Sequence, residues 1–425
     1  MKSHTQRSDS APKPSLNASQ RAAFEKILAL SPGEFVFLTG EAGTGKSFLV
    51  RYLSEHLNPI LTASTGLAAV NVGGVTCHSF FGLNIGIYTP VTPPRMKKEA
   101  QDVLKQSEYI VIDECSMLRS DTVDAIDDAC RRATGTNLRF GGKKVIFVGD
   151  VFQLPPIVTQ SEKDIFFEKY QSEWFFDSWV IDRNIPVISL EEPMRQLDSE
   201  MLEALNHIRY GRVSGLPYFN QKAYTIPSKD AVRIVGKNDV ARAENLTQLE
   251  KLKGKAKTYF AEFSGDFRET EAVVDPEVKL KVGAKVILCK NQDDAKNGQV
   301  GIVEHLFDDF VMVLIDGKSI CVEQTKWEKV RYEVNEETNG VDRVTTGTFK
   351  QIPLKLGYAI TVHKAQGQTY DQAHIDLAYT FTPGQLYVAL SRCKTIEGLT
   401  IEGELRNKAL KACDHVISFF AEVKG

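Results

Sequence analysis

Eight residues, GEAGTGKS from Gly40 to Ser47, satisfy the spacing G-x-x-x-x-G-K-[ST], which wraps backbone amides around a phosphate chain. Each position has a chemical task. Gly40, Gly43 and Gly45 let the backbone turn tightly with Thr44 inside the loop; Lys46 would reach the β- and γ-phosphates, and the Ser47 hydroxyl would ligate Mg²⁺. A second pair, Asp113 and Glu114, ends the apolar run Tyr109 to Ile112. Asp113 suits a metal held through its water shell, and Glu114 suits orienting and deprotonating an attacking water. Gln153, in GDVFQLPP, is a polar amide that could bond either to that water or to a neighbouring loop.

These groups work together only if the chain brings them to one edge. Phe35 to Leu38 reads as a buried parallel strand entering the glycine loop, and Phe48, Leu49, Tyr52 and Leu53 recur at helical spacing after it. Strand, loop and helix in that order aim the loop amides and the helix N-terminus at an anion. Further strands are expected at Pro59 to Ala63, Tyr109 to Ile112, Val145 to Val148 and Val187 to Leu190, so Asp113 and Gln153 emerge at the carboxyl edge of one parallel sheet. Leu16 to Leu30 reads as a helix capped by Asn17, with Gln20 at the capping-box position. Val123, Ile126 and Cys130 mark another helix, whose acidic residues read most simply as a solvated face.

Composition narrows the class without naming it. The 425 residues suggest about three domains. A net charge of -3 announces no bulk affinity for polyanions, so any nucleic-acid contact must come from a local groove. No apolar run approaches the roughly 18 residues of a membrane span, which makes a soluble cytoplasmic protein the expectation. The seven cysteines are scattered with no C-x-x-C pair, as expected of buried thiols in a reducing compartment rather than a zinc site. Residues 1–15 read as a disordered tail.

The remaining chain divides by pattern. The segment Ser64 to Gly82 offers Thr65, Thr76, His78 and Ser79 beside Phe80 and Phe81, suited to sugar-phosphate contact and base stacking, or equally to helix caps followed by core aromatics. Residues 86–98 form a proline-stiffened loop with Tyr88, Pro93, Lys97 and Lys98, too long for a simple connector. Past EEPMRQ, which holds Arg195, the α/β pattern restarts at Val232 to Val235. Short alternating strands then suggest a small β-barrel before the α/β pattern resumes at GYAITVHKAQGQTYD and a helix ending at Ser391 and Arg392. The expected division is a first domain over 16–190, a second over 191–253 and 347–425, and an inserted barrel over 254–346.

Taken together, GEAGTGKS, STGLAAVNVGGVTCHSFFG, DECSM, FVGDVFQLPP, EPMRQ, TVHKAQGQTYD and LYVALSRCKTIEGL resemble, in order, the motifs of the petite-integration-frequency family of DNA helicases, within the RecD-like group of superfamily 1B. The likeness runs from about Leu16 to Gly398. It implies two tandem RecA-like P-loop domains with ATP and Mg²⁺ between them, Gln20 reading adenine, and Arg195 and Arg392 of the second domain acting as arginine fingers. It also implies single-stranded DNA contacts from Thr65, His78, Phe80, Thr361, His363 and Lys364. The Tyr88 to Lys98 loop with Pro93 falls where relatives carry a strand-separating wedge. Cys115 stands where relatives usually have an aliphatic residue.

The activity so implied is ATP-driven 5′-to-3′ movement on single-stranded DNA, opening tailed duplexes, forks and G-quadruplexes in genome maintenance, by a monomer. Two other readings share the same ATP site: a RecD-like motor subunit of a larger assembly, and an ATP-gated DNA-binding switch that does not travel.

Overall fold

The computed structural model describes residues 16–425 apart from 42, 85, 191, 193–198, 293, 336–339, 378–379, 381 and 425; the side chains of 67, 270, 332–335, 340–343 and 424 are also left undescribed. The expected tail and Arg195 therefore lie outside the described residues.

The first domain is a parallel sheet built from β1 (Phe35–Gly40), β2 (Ile60–Ala63), β3 (Val75–Thr76), β4 (Tyr109–Asp113), β5 (Lys144–Val148) and β6 (Val187–Leu190), in the order β3-β2-β4-β5-β1-β6. Its helices are α1 (Ala18–Leu28), α2 (Lys46–Leu57), α3 (Gly66–Val72), α4 (Cys77–Phe81), α5 (Lys98–Gln106), α6 (Ser120–Thr134) and α7 (Lys163–Lys169). Both faces of the strands are apolar because both are covered. Val36, Leu38, Val111, Ile146 and Val148 pack with Ala23, Ile27, Leu49 and Leu53, while Phe35, Phe37, Ile110, Ile112 and Phe147 pack with Val103, Ile126 and Phe175. The second face is fastened by rings: Phe147 stacks on Phe175 at 5.2 Å, and Phe140 meets Phe35 edge-on at 5.7 Å. Truncating such a ring to alanine costs about 3–5 kcal/mol.

The second domain begins with α8 (Ser199–Arg209) and α9 (Leu216–Asn220), then β7 (Val232–Val235) and α10 (Asn238–Lys251). The insertion follows as β8 (Lys257–Phe260), β9 (Glu262–Gly265), β10 (Glu277–Leu280), β11 (Lys285–Leu288), β12 (Val300–Leu306), β13 (Phe310–Ile315), β14 (Lys318–Glu323), β15 (Thr325–Asn335), β16 (Gly340–Gln351) and β17 (Leu354–Leu356). The α/β pattern then resumes with β18 (Ala359–Thr361), α11 (Val362–Ala365), β19 (Ala373–Asp376), α12 (Gln385–Leu390), β20 (Leu399–Ile401) and α13 (Asp414–Lys424). Strands β18-β7-β19-β20 make the second parallel sheet, so residues on either side of the insertion pair directly, as in Ile234 with Ile360 and Ile375.

Among the described residues the inserted strands pair in three sets: a five-stranded antiparallel sheet, β14-β13-β12-β11-β17, the three-stranded β15-β16-β9 and the β8–β10 pair. The long β15–β16 hairpin draws its strands out of a common ladder, and buried Gln351 ties the pieces by donating to the carbonyls of Tyr259 and Pro276 at 3.1 and 2.9 Å. The boundary expected at 346 falls inside β16, and pairing of β17 with β11 carries the insertion to Leu356. The last helix also does not stay with the second domain. Phe419 of α13 stacks on Phe176 at 3.9 Å, Phe420 lies 4.9 Å from Phe152, and His415 is hydrogen-bonded to Asp177, all on the first domain. No helix among the described residues is long and apolar enough to cross a membrane.

Candidate nucleotide site between the domains

The carboxyl ends of β1, β4 and β5 converge. Gly43 and Gly45 take φ of 87° and 86°, a left-handed conformation open to glycine at little cost, and α2 starts immediately after them at Lys46. Lys46 Nζ donates to the carbonyls of Gly40 and Glu41 at 2.7 and 3.0 Å, and the Thr44 hydroxyl donates to Glu41 O at 3.0 Å. Burial lowers the pKa of the Lys46 ammonium, against the opposing pull of Asp150 and Glu114. Ser47 is exposed at the first turn of α2.

Asp113 and Glu114 emerge from β4 as expected. Burial pushes Asp113 up to about 7, with the neighbouring Glu114 charge adding to it. Glu114 is also raised, by burial first, and its backbone is held at φ 52°, rarely adopted by a side-chain-bearing residue. That conformation is fixed on both sides: Glu114 N donates to Asp113 Oδ1 at 2.9 Å, and the Ser64 hydroxyl donates to Glu114 O at 2.8 Å. Strain of this kind, over-determined by its surroundings, gathers at functional sites. Gln153 is buried, with its Oε1 unpaired among the described residues, so its amide retains an acceptor for a partner not present here.

The second domain closes the site. Gln366 Nε2 donates to Glu114 Oε2 at 3.2 Å, a contact that joins residues 252 positions apart. Arg392 is buried close enough for its charge to lower the Glu114 pKa. Its donors go to the carbonyls of Val388 and Gln368 at 2.8 and 3.2 Å and to the Ser391 hydroxyl at 2.7 Å. Gln366 lies in TVHKAQGQTYD but was not among the expected site residues; its polar side chain beside Gly367 was the only local signal.

The donor set also bears on a metal. No cluster of three His, Cys, Asp or Glu side chains suited to a metal is present among the described residues. One hydroxyl, on the first turn of α2, and one carboxylate, at the end of β4, are instead the sparse hard-oxygen set that Mg²⁺ takes when phosphates supply further ligands. Ser47 and Asp113 fit that role.

The comparisons with known proteins agree with this geometry. A family model described as PIF1-like helicase matches residues 15–212. The ATP-dependent DNA helicase Pif1 of Bdellovibrio bacteriovorus is 30% identical over 93% of this chain and 90% of its own length. The chain belongs to the PIF1-like helicase family. Human PIF1 is 31% identical over 97% of this chain, which spans 64% of the human protein. The crystal structure of Bacteroides sp. Pif1 in complex with ADP-AlF4 matches at a TM-score of 0.89 and 32% identity, covering 97% of this chain and 98% of that one. The same Bacteroides protein bound to single-stranded DNA, with the same coverage and identity, gives 0.71. Tandem RecA-like domains are thus the fold of this PIF1-like chain.

The other residues expected of a PIF1-like motor have local roles in the fold. Gln20 forms both halves of the capping box, accepting from Asn17 N at 3.2 Å and donating its own N–H to Asn17 Oδ1 at 2.7 Å, and it is fully buried. Thr65 caps α3 through Ala68 N at 3.3 Å, and Thr361 caps α11 through Lys364 N at 3.4 Å. His78, His363 and Lys364 are exposed, and Pro93 is half-buried. Phe80 is buried in the core, edge-on to Phe81 at 4.9 Å, and Thr361 is buried with its hydroxyl accepting at the α11 cap. Val70 of α3, inside the segment expected to bind DNA, packs against the insertion's Trp327 and Phe349 cluster.

The acidic helix is the clearest reversal. Asp121, Asp124 and Asp127 on α6 are buried, not solvated. Each accepts backbone N–H groups from a different segment: Asp121 from Tyr88 at 3.0 Å, Asp124 from Trp179 and Val180 at 3.2 and 3.0 Å, and Asp127 from Phe140 at 2.6 Å. Asp121 is in turn gripped by Arg119, which also bonds Glu162 at 3.1 Å and lies over the Phe166 ring at 5.0 Å. The loop around Pro93 is thereby anchored to α6 through Tyr88.

Proposed function

We propose that this chain is an ATP-dependent DNA helicase that moves 5′ to 3′ along single-stranded DNA and opens tailed duplexes and forks, with G-quadruplexes and genome maintenance inside the same reading. It acts inside the cell on DNA, as a monomer. The observation that carries the ATPase part is the Gln366–Glu114 hydrogen bond, close to the charges of Lys46 and Arg392; it joins the two domains at the carboxylate read here as the one that would activate water. The family's DNA-helicase relatives and the single-stranded-DNA complex of Bacteroides Pif1 support the DNA part. Direction rests on the ordered motifs alone.

The residues divide the work. Lys46 would exchange the carbonyls of Gly40 and Glu41 for phosphate oxygens, so binding and loop geometry are linked. Glu114, whose pKa burial raises against the opposing pull of Lys46 and Arg392, would be a base able to hold the proton of an attacking water. Mg²⁺ held by Ser47 and Asp113 would neutralise developing charge on the phosphates. Arg392 would release its own-domain acceptors to reach the γ-phosphate, with Arg195 as the second expected arginine finger, so that closure of the second domain is tied to the triphosphate and lost with it. Gln153 would offer its unpaired oxygen to the same water.

The test is strand displacement on duplexes with a 5′ or a 3′ single-stranded tail, with ATP and Mg²⁺, beside Lys46→Ala. Unwinding of the 5′-tailed duplex alone, lost in the variant, is expected. Unwinding from 3′ tails would reverse the direction, and DNA-stimulated hydrolysis without displacement would favour the non-travelling switch.

A further inference from the structure

The backbone of Glu114 is fixed from within the first domain, by Asp113 and Ser64, but its carboxylate is held from the second. Gln366 supplies that hold. It is the C-cap of α11, the short helix that Thr361 opens, and its Nε2 donates to Glu114 Oε2 at 3.2 Å. The next residue, Gly367, takes φ of 73°, and a Cβ on it would come to 3.9 Å from Glu114 Oε1. One carboxylate oxygen is thus tied to an amide, while the other faces a residue that has no side chain to crowd it.

The other end of the Gln366 amide is the informative atom. Only the nitrogen of an amide can donate to a carboxylate, so Oε1 is the end left over. It is buried, with no partner among the described residues. Because it shares a carbon with Nε2, it lies beside the Glu114 carboxylate. A buried acceptor at such a place calls for a donor, and the reaction supplies one. A water attacking the γ-phosphate carries two hydrogens: Glu114 takes one, and the second needs an acceptor. Gln153 Oε1 is a free oxygen from the first domain, and Gln366 Oε1 is its counterpart from the second.

We propose that Gln366 is a catalytic residue of ATP hydrolysis: its N–H sets the Glu114 carboxylate, and its Oε1 accepts, with Gln153, the water hydrogen that Glu114 does not take. As the water oxygen bonds to the γ-phosphorus, the bond from phosphorus to the β–γ bridging oxygen breaks and its electron pair leaves on ADP. One proton passes to Glu114, and the other stays on the new phosphate. The inference rests on the ATPase reading of Glu114 and adds a residue of the second domain that touches the reacting water. Base and water are therefore aligned only with the two domains in this arrangement.

Gln366→Met keeps the length of the side chain and removes both donor and acceptor. Its kcat and KM for ATP are measured with its melting temperature, and a fluorescent-nucleotide competition reads its affinity for ADP with and without aluminium fluoride. The expected result is a kcat lowered about 10²-fold with KM changed by less than about twofold and an unshifted melting temperature. ADP alone should bind as before, and the affinity gained on adding aluminium fluoride should fall with kcat, since that complex imitates the phosphate in transfer. Gln366→Lys restores a donor to Glu114 without an acceptor and should stay slow. A kcat in Gln366→Met within twofold of the unmutated value overturns the proposal, as does a fall that follows melting temperature or a rise in KM alone. Recovery of kcat in Gln366→Lys overturns the role of the oxygen. If the unmutated chain hydrolyses no ATP, the ATPase reading itself fails; equal hydrolysis by the unmutated and Gln366→Met chains leaves that reading standing and sinks only this one.

Discussion

The nucleotide cleft and the expected DNA face are built differently. In the cleft, polar groups are buried and held by short-range partners: Lys46 by its own loop, Glu114 by Gln366 and by Ser64 through its backbone, Asp150 by Arg209 and Tyr387. On the other face Thr65 and Thr361 cap short helices, Phe80 is core, and His78, His363 and Lys364 stand in solvent. A phosphate chain is always the same shape, so its site can be made rigid in advance. A strand that must be gripped, released and gripped again needs surfaces that change partners. The lower likeness to the DNA-bound Bacteroides structure, 0.71 against 0.89, fits such a change of arrangement.

The rigid half of this contrast breaks most sharply at Glu114. Replacing it by Gln should lower DNA-stimulated ATP turnover by about 10²- to 10⁴-fold while leaving ATP binding, measured by a fluorescent analogue, largely intact. Loss of binding in step with turnover would mean that Glu114 shapes the cleft rather than the water. A second effect follows from Asp113, pushed up to about 7 by burial and the Glu114 charge. A metal needs the carboxylate, and the proton competes for it as pH falls through that value. The Mg²⁺ concentration giving half-maximal ATPase should therefore rise about tenfold between pH 8 and pH 6. A flat Mg²⁺ dependence would remove Asp113 from the metal.

The adaptable half is sharpened at α6. Asp121→Asn keeps a hydrogen-bond acceptor for Tyr88 N but gives up the charge that Arg119 grips. Charge-assisted hydrogen bonds contribute about 1.5–3 kcal/mol, and losing part of that should loosen the 86–98 loop. Duplex unwinding is expected to fall about fivefold with ATP turnover on single-stranded DNA little changed. An equal fall in both would show that α6 supports the whole domain and not the loop.

What the sequence conveyed follows the same division. GEAGTGKS is contiguous, and its backbone does the binding, so eight residues sufficed to read it; Asp113 and Glu114 followed because a β-strand fixes where its end points. The parallel sheets were legible as apolar runs. Asp150, Arg209 and Tyr387 were not, since 59 and 237 residues separate Asp150 from its partners and each looks unremarkable alone. The α6 aspartates misled for a physical reason: spaced three apart beside arginines they imitate a solvated face, while their partners are backbone amides, which carry no sequence signature. How the inserted strands group was not legible, because alternating strands specify a sheet but not which ladders join.

The smallest effect decides a residue that both halves could claim. Gln20 completes the Asn17 capping box, and that bond would exist whether or not the side chain also met adenine. Asn17→Ala removes the cap acceptor and should cost about 1 kcal/mol, seen as a modest fall in melting temperature with nucleotide preference unchanged. Gln20→Ala should cost a similar amount and, if the amide reads the base, narrow the ratio of kcat/KM for ATP to that for GTP as well. The two variants thus share a stability loss and differ only in selectivity. A preference for ATP that survives in Gln20→Ala would leave this glutamine as a helix cap and move adenine recognition elsewhere in the cleft.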